Sequence, residues 1–219
     1  MTAGATPVRP LEVHAWLDVA CPWCWIAKRR FEEAAAEFGG PVTVEYHSFE
    51  LAPDLSADYL STEVEFLQRL CSISANDATM RIRLVTSTGA RLGLAHDFDR
   101  VQHTSTFLAH QLLHHGKVEG RQQPMLDALF SAFFEQGRDL RHVDELVAIA
   151  QDVGLAAEDT REVLERGQYA EAVRADRRLA ADHGVTNIPT YVLPGQPPIH
   201  GAKRPAALVE SLRKAAGLP

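Results

Sequence analysis

The sequence predicts an α/β fold. Three observations carry this reading. The chain opens with a β-α-β pattern, it closes with a β-β-α pattern, and between them lies a long stretch whose apolar residues recur at helical spacing. The two ends are expected to complete one small sheet, and the middle to be an inserted all-α block.

The first element is residues 11–17, LEVHAWL. Leu11, Val13, Ala15 and Leu17 alternate with Glu12, His14 and Trp16, as a strand requires. A helix is expected from 22 to 38, with Ile26, Ala27, Phe31, Ala34, Ala35 and Phe38 on its buried stripe and Gly39-Gly40 as its stop. Residues 42–48, VTVEYHS, alternate again as a second strand, and Pro53 ends the unit.

From about 55 to 183 no convincing strand pattern emerges. Thr62 and Glu65 have capping-box spacing and open a helix through Leu70. Met80, Ile82, Leu84 and Val85 belong to a second helix, closed near Gly89 or Gly93. Residues 104–115 form a third. A fourth carries Met125, Leu129, Phe130, Phe133 and Phe134, with Pro124 near its start. Residues 143–153, 158–166 and 169–183 complete the block. Strand character returns at 190–193, Pro194-Gly195-Gln196-Pro197 turns the chain, Ile199 and His200 start another strand, and 205–216 close as a helix. The domain division is therefore 1–53 with 184–219, interrupted by a helical insertion at 54–183.

Composition narrows the function classes. The chain has 219 residues, 46% of them hydrophobic, enough for a core without disulfide staples. Acidic residues outnumber basic ones, 29 to 22, for a net charge of −7. Such a surface is not built to coat nucleic acid or an anionic membrane. No apolar run approaches the roughly 20 residues of a membrane-spanning helix. The opening residues, MTAGATPVRP, contain no apolar stretch of a secretory signal, so the expected location is cytoplasmic.

Only three cysteines occur: Cys21, Cys24 and Cys71. Three is too few for a disulfide scaffold. Two of them nevertheless form a C-x-x-C motif, Cys21-Pro22-Trp23-Cys24, at the turn from the first strand into the first helix. Thiol–disulfide exchange proceeds by thiolate attack, whereas a free cysteine, with a pKa of about 8.5, is mostly protonated near neutrality. The unpaired N–H groups and dipole of a helix N-terminus favour the anion, which suits Cys21 as the attacking sulfur. Pro22 is compatible with the first helical position because its missing N–H has no helical partner there. Trp23 restricts the loop and leaves an apolar surface beside the sulfur. Cys24, three residues on and pointing coreward, is the expected resolving thiol and the more buried of the two.

A structural zinc site usually takes four ligands, often two such cysteine pairs, and no second pair exists, so no metal is expected. Cys71 is expected to be a buried, inert thiol beside Leu67 and Leu70. His103, His110 and His114 are spaced to share a helical face, turned to the site or to solvent; His110 is a candidate on the substrate side. Asp18 is expected to cap the turn or to serve its loop; Glu50 and Lys28 could tune the thiols electrostatically, but a solvated or structural role is expected for each. Far along the chain, Ile188-Pro189-Thr190 opens a strand. A proline there removes a ladder donor, and its X-Pro bond is a candidate for cis.

Taken together, Cys21-Pro22-Trp23-Cys24, His103-Thr104 with Ala109-His110, Gly184-Val185-Thr186-Asn187-Ile188-Pro189-Thr190-Tyr191 and Gly201-Ala202-Lys203 resemble the DsbA-like branch of the thioredoxin superfamily, and within it the FrnE-like group. The resemblance covers nearly the whole chain in order. It implies a thioredoxin-like fold with an inserted α-helical domain, a redox pair Cys21–Cys24, and a cis-proline at Pro189 beside that pair, with Ile188 and Thr190 in its loop. The implied activity is thiol–disulfide exchange with a protein or small thiol. No resident cofactor is implied; glutathione is a candidate redox partner, and a second copy of the chain a candidate dimer partner. Two alternatives stay open: a glutathione-dependent transferase or isomerase of the kappa or 2-hydroxychromene-2-carboxylate isomerase type, and a holdase-like binding module. Members of the former commonly hold serine where this chain has Cys21.

Overall fold

A computed structural model describes residues 10–56 and 58–218. Its central sheet has strand order β2-β1-β5-β6. Strand β1 (Leu11–Leu17) runs into helix α1 (Pro22–Phe38), and β2 (Val42–Ser48) returns parallel to β1. Gly39 ends α1 in the left-handed conformation (φ 70°), where a side chain would be strained, and its N–H closes on the Ala35 carbonyl.

The helical block follows. It comprises α2 (Glu63–Cys71), α3 (Ala75–Ala90), α4 (Phe107–Val118), α5 (Gln122–Phe134), α6 (Val143–Asp152), α7 (Ala157–Glu165) and α8 (Ala170–Asp182). The capping box at Thr62 and Glu65 is present in both directions. The block is not purely helical. Ser61–Thr62 (β3) and Gln102–His103 (β4) pair as a two-stranded ribbon. Pieces of two residues are too short to show an alternating pattern in sequence.

Strand β5 (Thr190–Val192) then inserts antiparallel against β1, β6 (Ile199–His200) pairs with β5, and α9 (Pro205–Ala215) closes the fold. Helices α1 and α9 pack together on one side of the sheet. That side carries Val13, Ala15, Leu17 and Tyr46 into the main core. The same core continues without a break into Leu112, Met125, Phe130, Phe134 and Leu146 of the helical block. Helix α8, although part of the block, covers the opposite face of the sheet, where Trp16, Phe49, Ala180 and Val185 form a second, smaller cluster. Both faces are thus buried, one by each segment of the chain. Among the described residues, no helix is long and apolar enough to cross a membrane.

Candidate active site

The site grows from the end of β1. Residues 18–21 leave the sheet in a tight turn, closed by the Cys21 N–H donating to the Asp18 carbonyl at 3.1 Å. Cys21 is the N-cap of α1, in extended conformation, and Pro22 takes the first helical position. The Cys21 carbonyl accepts from the Cys24 N–H at 2.9 Å and starts the helix. One turn in, the Cys24 side chain lies against that of Cys21. Both are free thiols.

Their environments differ. Cys24 is 1% exposed and Cys21 5%. Burial pushes the Cys24 thiol well above the ordinary cysteine range, and the adjoining Cys21 thiol adds to the effect through a hydrogen bond and charge. Cys24 therefore holds its proton. Trp23 is half-buried against the main core between them.

Asp18 braces the turn from within. One carboxylate oxygen accepts from the Ala20 N–H (3.2 Å), and the other from the Leu51 N–H (2.7 Å). His110 Nε2 meets the first oxygen at 3.3 Å. Burial alone would raise this carboxyl. The His110 hydrogen bond and charge, with the two N–H donors, outweigh it and hold Asp18 below the usual carboxylate range. The side chain of His110 is completely buried, so it reaches the cysteine turn through Asp18 and has no face open to a substrate. This pairing joins residues 92 apart, and sequence alone offered only two polar side chains in apolar surroundings as its signal.

The second strand-end contributes the 187–190 turn. The Ile188–Pro189 bond is cis. Thr190 lies opposite Trp16 in the β5–β1 ladder. Continuing that register brings Pro189 level with Leu17, where β1 gives way to the cysteine turn. Thr190 is buried, and its hydroxyl donates to the Asn187 carbonyl (2.7 Å) and meets His200 Nδ1 at 2.8 Å. The Gly201 N–H donates to the Pro189 carbonyl at 2.7 Å. Ile188 packs against both apolar clusters.

Beyond Asp18, the chain after β2 walls a cavity of about 500 Å³, lined by Glu50, Pro53, Phe107, Leu108, Arg174 and Arg177 among others. Arg177 stacks on Phe49 (4.1 Å to the ring centre) and Arg174 on Phe107 (5.3 Å). Burial raises the Glu50 carboxyl.

Several residues fall elsewhere than expected. Cys71 is exposed at the end of α2, because the helix turns Phe66 to the interior and leaves Cys71 on the solvent side. His103 is on β4 and not on the helix of His110 and His114; it is buried, bonded to Glu63 and stacked on Phe66 at 3.8 Å. His114 is buried as well, at Asp176 of α8. Lys28 takes the structural of its two expected roles: its side chain is 1% exposed and paired with Glu32 and Asp127.

A sheet flanked by helices on both faces, with two thiols in contact at the start of the helix that follows β1, defines a thioredoxin-type dithiol domain. The pattern of the family described as "DSBA-like thioredoxin domain" matches residues 12–213, and the chain belongs to that family. It is similar to a probable DsbA oxidoreductase, SCO1869, of Streptomyces coelicolor, with 36% identity and a TM-score of 0.89 over 94% of this chain and 90% of that one. It is 27% identical over 197 residues to the uncharacterized protein YwbO of Bacillus subtilis (strain 168), covering 88% of this chain and 90% of YwbO. In fold alone, it is similar to the cytosolic disulfide reductase DsbM of Pseudomonas aeruginosa, solved with GSH. There the identity is 18% and the TM-score 0.65, over 95% of this chain and 100% of that one.

Proposed function

We propose that this protein is a thiol–disulfide oxidoreductase in which Cys21 attacks and Cys24 resolves. The observation that carries the reading is the pair of thiols in contact at the N-terminus of α1, the outer one at the cap and the inner one buried and protonated. A helix N-terminus favours negative charge, and Cys21 occupies the N-cap position of α1.

In the reducing direction the Cys21 thiolate attacks one sulfur of a substrate disulfide. A bond forms between Cys21 and that sulfur, and the other leaves as a thiolate and takes up a proton. Cys24 then loses its proton, attacks the Cys21 sulfur and expels the second substrate thiol. The substrate gains two electrons, and the protein is left with a Cys21–Cys24 disulfide. A thiol such as glutathione returns it to the dithiol by the reverse chemistry. The oxidising direction is the same sequence read backwards.

The remaining site residues have supporting roles in this reading. Pro22 and Trp23 hold the two thiols at one turn. Asp18, bonded to His110, is a positioning residue that keeps the turn at its angle to β1. The turn at Ile188, Pro189 and Thr190 runs along the end of β1 and offers the Ile188 backbone to an extended substrate. The DsbM structure with GSH supports a small thiol as the partner class and a reducing, cytoplasmic setting.

The test is disulfide exchange with purified variants. Cys21→Ser is expected to lose turnover, and Cys24→Ser to accumulate a mixed disulfide at Cys21 visible by intact mass. Full exchange activity in Cys21→Ser overturns the proposal.

A further inference from the structure

The face of the sheet away from the cysteines carries a second cluster of chemistry. His14 lies opposite Glu45, and Trp16 opposite His47, in the parallel ladder of β1 and β2. Side chains at paired positions project to the same face, so His14, Glu45 and His47 converge at the margin of α8. His14 Nδ1 and His47 Nε2 are 2.9 Å apart, and His47 Nε2 is 3.7 Å from a Glu45 carboxylate oxygen. One ligand-type atom from each of the three lies within 4.8 Å of the others.

His47 is held in the orientation that a metal ligand needs. Its Nδ1 is 2.8 Å from the Asp176 carboxylate, which can only accept, so Nδ1 carries a hydrogen, and in the neutral ring Nε2 turns its lone pair to the cluster. Asp176 is itself fixed by the Ser48 N–H (2.7 Å) and by His114 Nε2 (3.0 Å). The His47 ring is stacked on Trp16, centroids 4.6 Å apart, and the His14 ring on His183 at 5.9 Å. Glu45 and His14 remain partly open to solvent, which leaves an entrance. The Glu45 oxygen that approaches His47 also pairs with Lys117, an ammonium that a bound ion displaces from it.

We propose that His14, Glu45 and His47 bind a divalent transition ion of the zinc type, with Asp176 orienting His47 from behind. Two imidazoles and one carboxylate are a donor set suited to zinc, with the fourth tetrahedral position left to water. Bonds of about 2.0–2.1 Å place tetrahedral ligand atoms roughly 3.3 Å apart. The observed 2.9 and 3.7 Å bracket that value along two edges of the site, and all three ligand atoms lie within 4.8 Å of one another. His14 meets the ion through Nδ1 by carrying its ring hydrogen on Nε2 instead. The bound ion ties β1 to β2 and, through Asp176, both to α8.

The dithiol can hold zinc too, so the test uses an untagged chain with Cys21, Cys24 and Cys71 all changed to serine, stripped with a chelator. Zinc is titrated by calorimetry and cobalt by its visible bands. One ion per chain is expected, with cobalt bands free of thiolate charge transfer. His14→Gln and Glu45→Gln are each expected to lose at least about tenfold in affinity. In the unsubstituted thiol-free chain, imidazole nitrogen spectra are expected to shift for His14 and His47 among the ten histidines, a readout independent of how either variant folds. Absence of stoichiometric binding, unchanged affinity in His14→Gln, or shifts confined to other histidines overturns the proposal.

Discussion

The two faces of the central sheet are buried by different physics. Toward α1 and α9 the contacts are apolar: Val13, Ala15, Leu17 and Tyr46 meet Phe31, Ile26 and Leu212 in one continuous core. Toward α8 the interface is polar at its centre. Trp16 donates its indole N–H to the Asp176 carbonyl (3.1 Å), and the Asp176 carboxylate gathers His47, His114 and the Ser48 N–H. The first face is stabilised roughly in proportion to the area removed from water and tolerates any side chain of suitable shape. The second depends on every member of a hydrogen-bonded set being present, since each loss leaves buried partners unsatisfied. The cysteines thus pack against the apolar core, whereas the histidines beneath α8 belong to the hydrogen-bonded set.

The contrast can be broken most strongly on the apolar face. Phe31 is 2% exposed and stacked on Tyr191 with ring centres 4.6 Å apart. Phe31→Ala is expected to cost about 3–5 kcal/mol in urea unfolding, since the cavity adds to the lost transfer energy. A cost below about 1 kcal/mol would show that this face repacks freely around the lost ring.

Asp176→Ala comes next, at about 2–4 kcal/mol near neutral pH, because it strands two imidazoles and one backbone N–H. Its pH dependence has a defined sign. Burial, the largest single influence, raises the Asp176 carboxyl. Hydrogen bonds from His114 and His47, the His47 charge and the Ser48 N–H together outweigh it and leave the folded value depressed. A depressed carboxyl stabilises the fold above its unfolded pKa of about 3.9 and loses that contribution as pH falls toward the folded value. The gap between wild type and Asp176→Ala is therefore expected to be full at about pH 6 and to shrink progressively below about pH 4. A gap that stays constant down the acid range would remove the charge from the explanation.

The smallest effect is expected at Lys28, the exception on the α1 side. Its ammonium is buried, but its partners Glu32 and Asp127 are 28% and 50% exposed. Lys28→Met removes a desolvated charge and lets both carboxylates return to water, so the change is expected to stay within about 1 kcal/mol. A loss as large as that of Asp176→Ala would mean that the two faces do not differ in kind.

Much of this organisation is legible along the chain. The alternation of Leu11 to Leu17 and Val42 to Ser48 marks both parallel strands at their true bounds, and the Cys21-Pro22 pair sits at a helix start for reasons of local backbone chemistry alone. What could not be read is what depends on distance in sequence. Cys71 follows an apolar helical pattern and still faces solvent, because which stripe of α2 is covered depends on its neighbours. His110 reads as a substrate-side residue until its partner Asp18 is placed against it. His14 and His47 look like isolated polar positions on two strands until the register aligns them.

Local rules therefore determined by themselves the order of the helices and of the strands of the main sheet, the place of Cys21 at the N-cap position of α1 and the closeness of Cys24 one turn later, since all of these follow from interactions within a few residues. Tertiary structure alone decided that α8 covers the far face of the sheet, that Asp18 meets His110, and that two histidines and a glutamate converge beneath that helix. The physical reason is that strand register and helix docking are selected by the burial of surfaces contributed from distant parts of the chain, and no periodicity in one segment encodes which other segment will cover it.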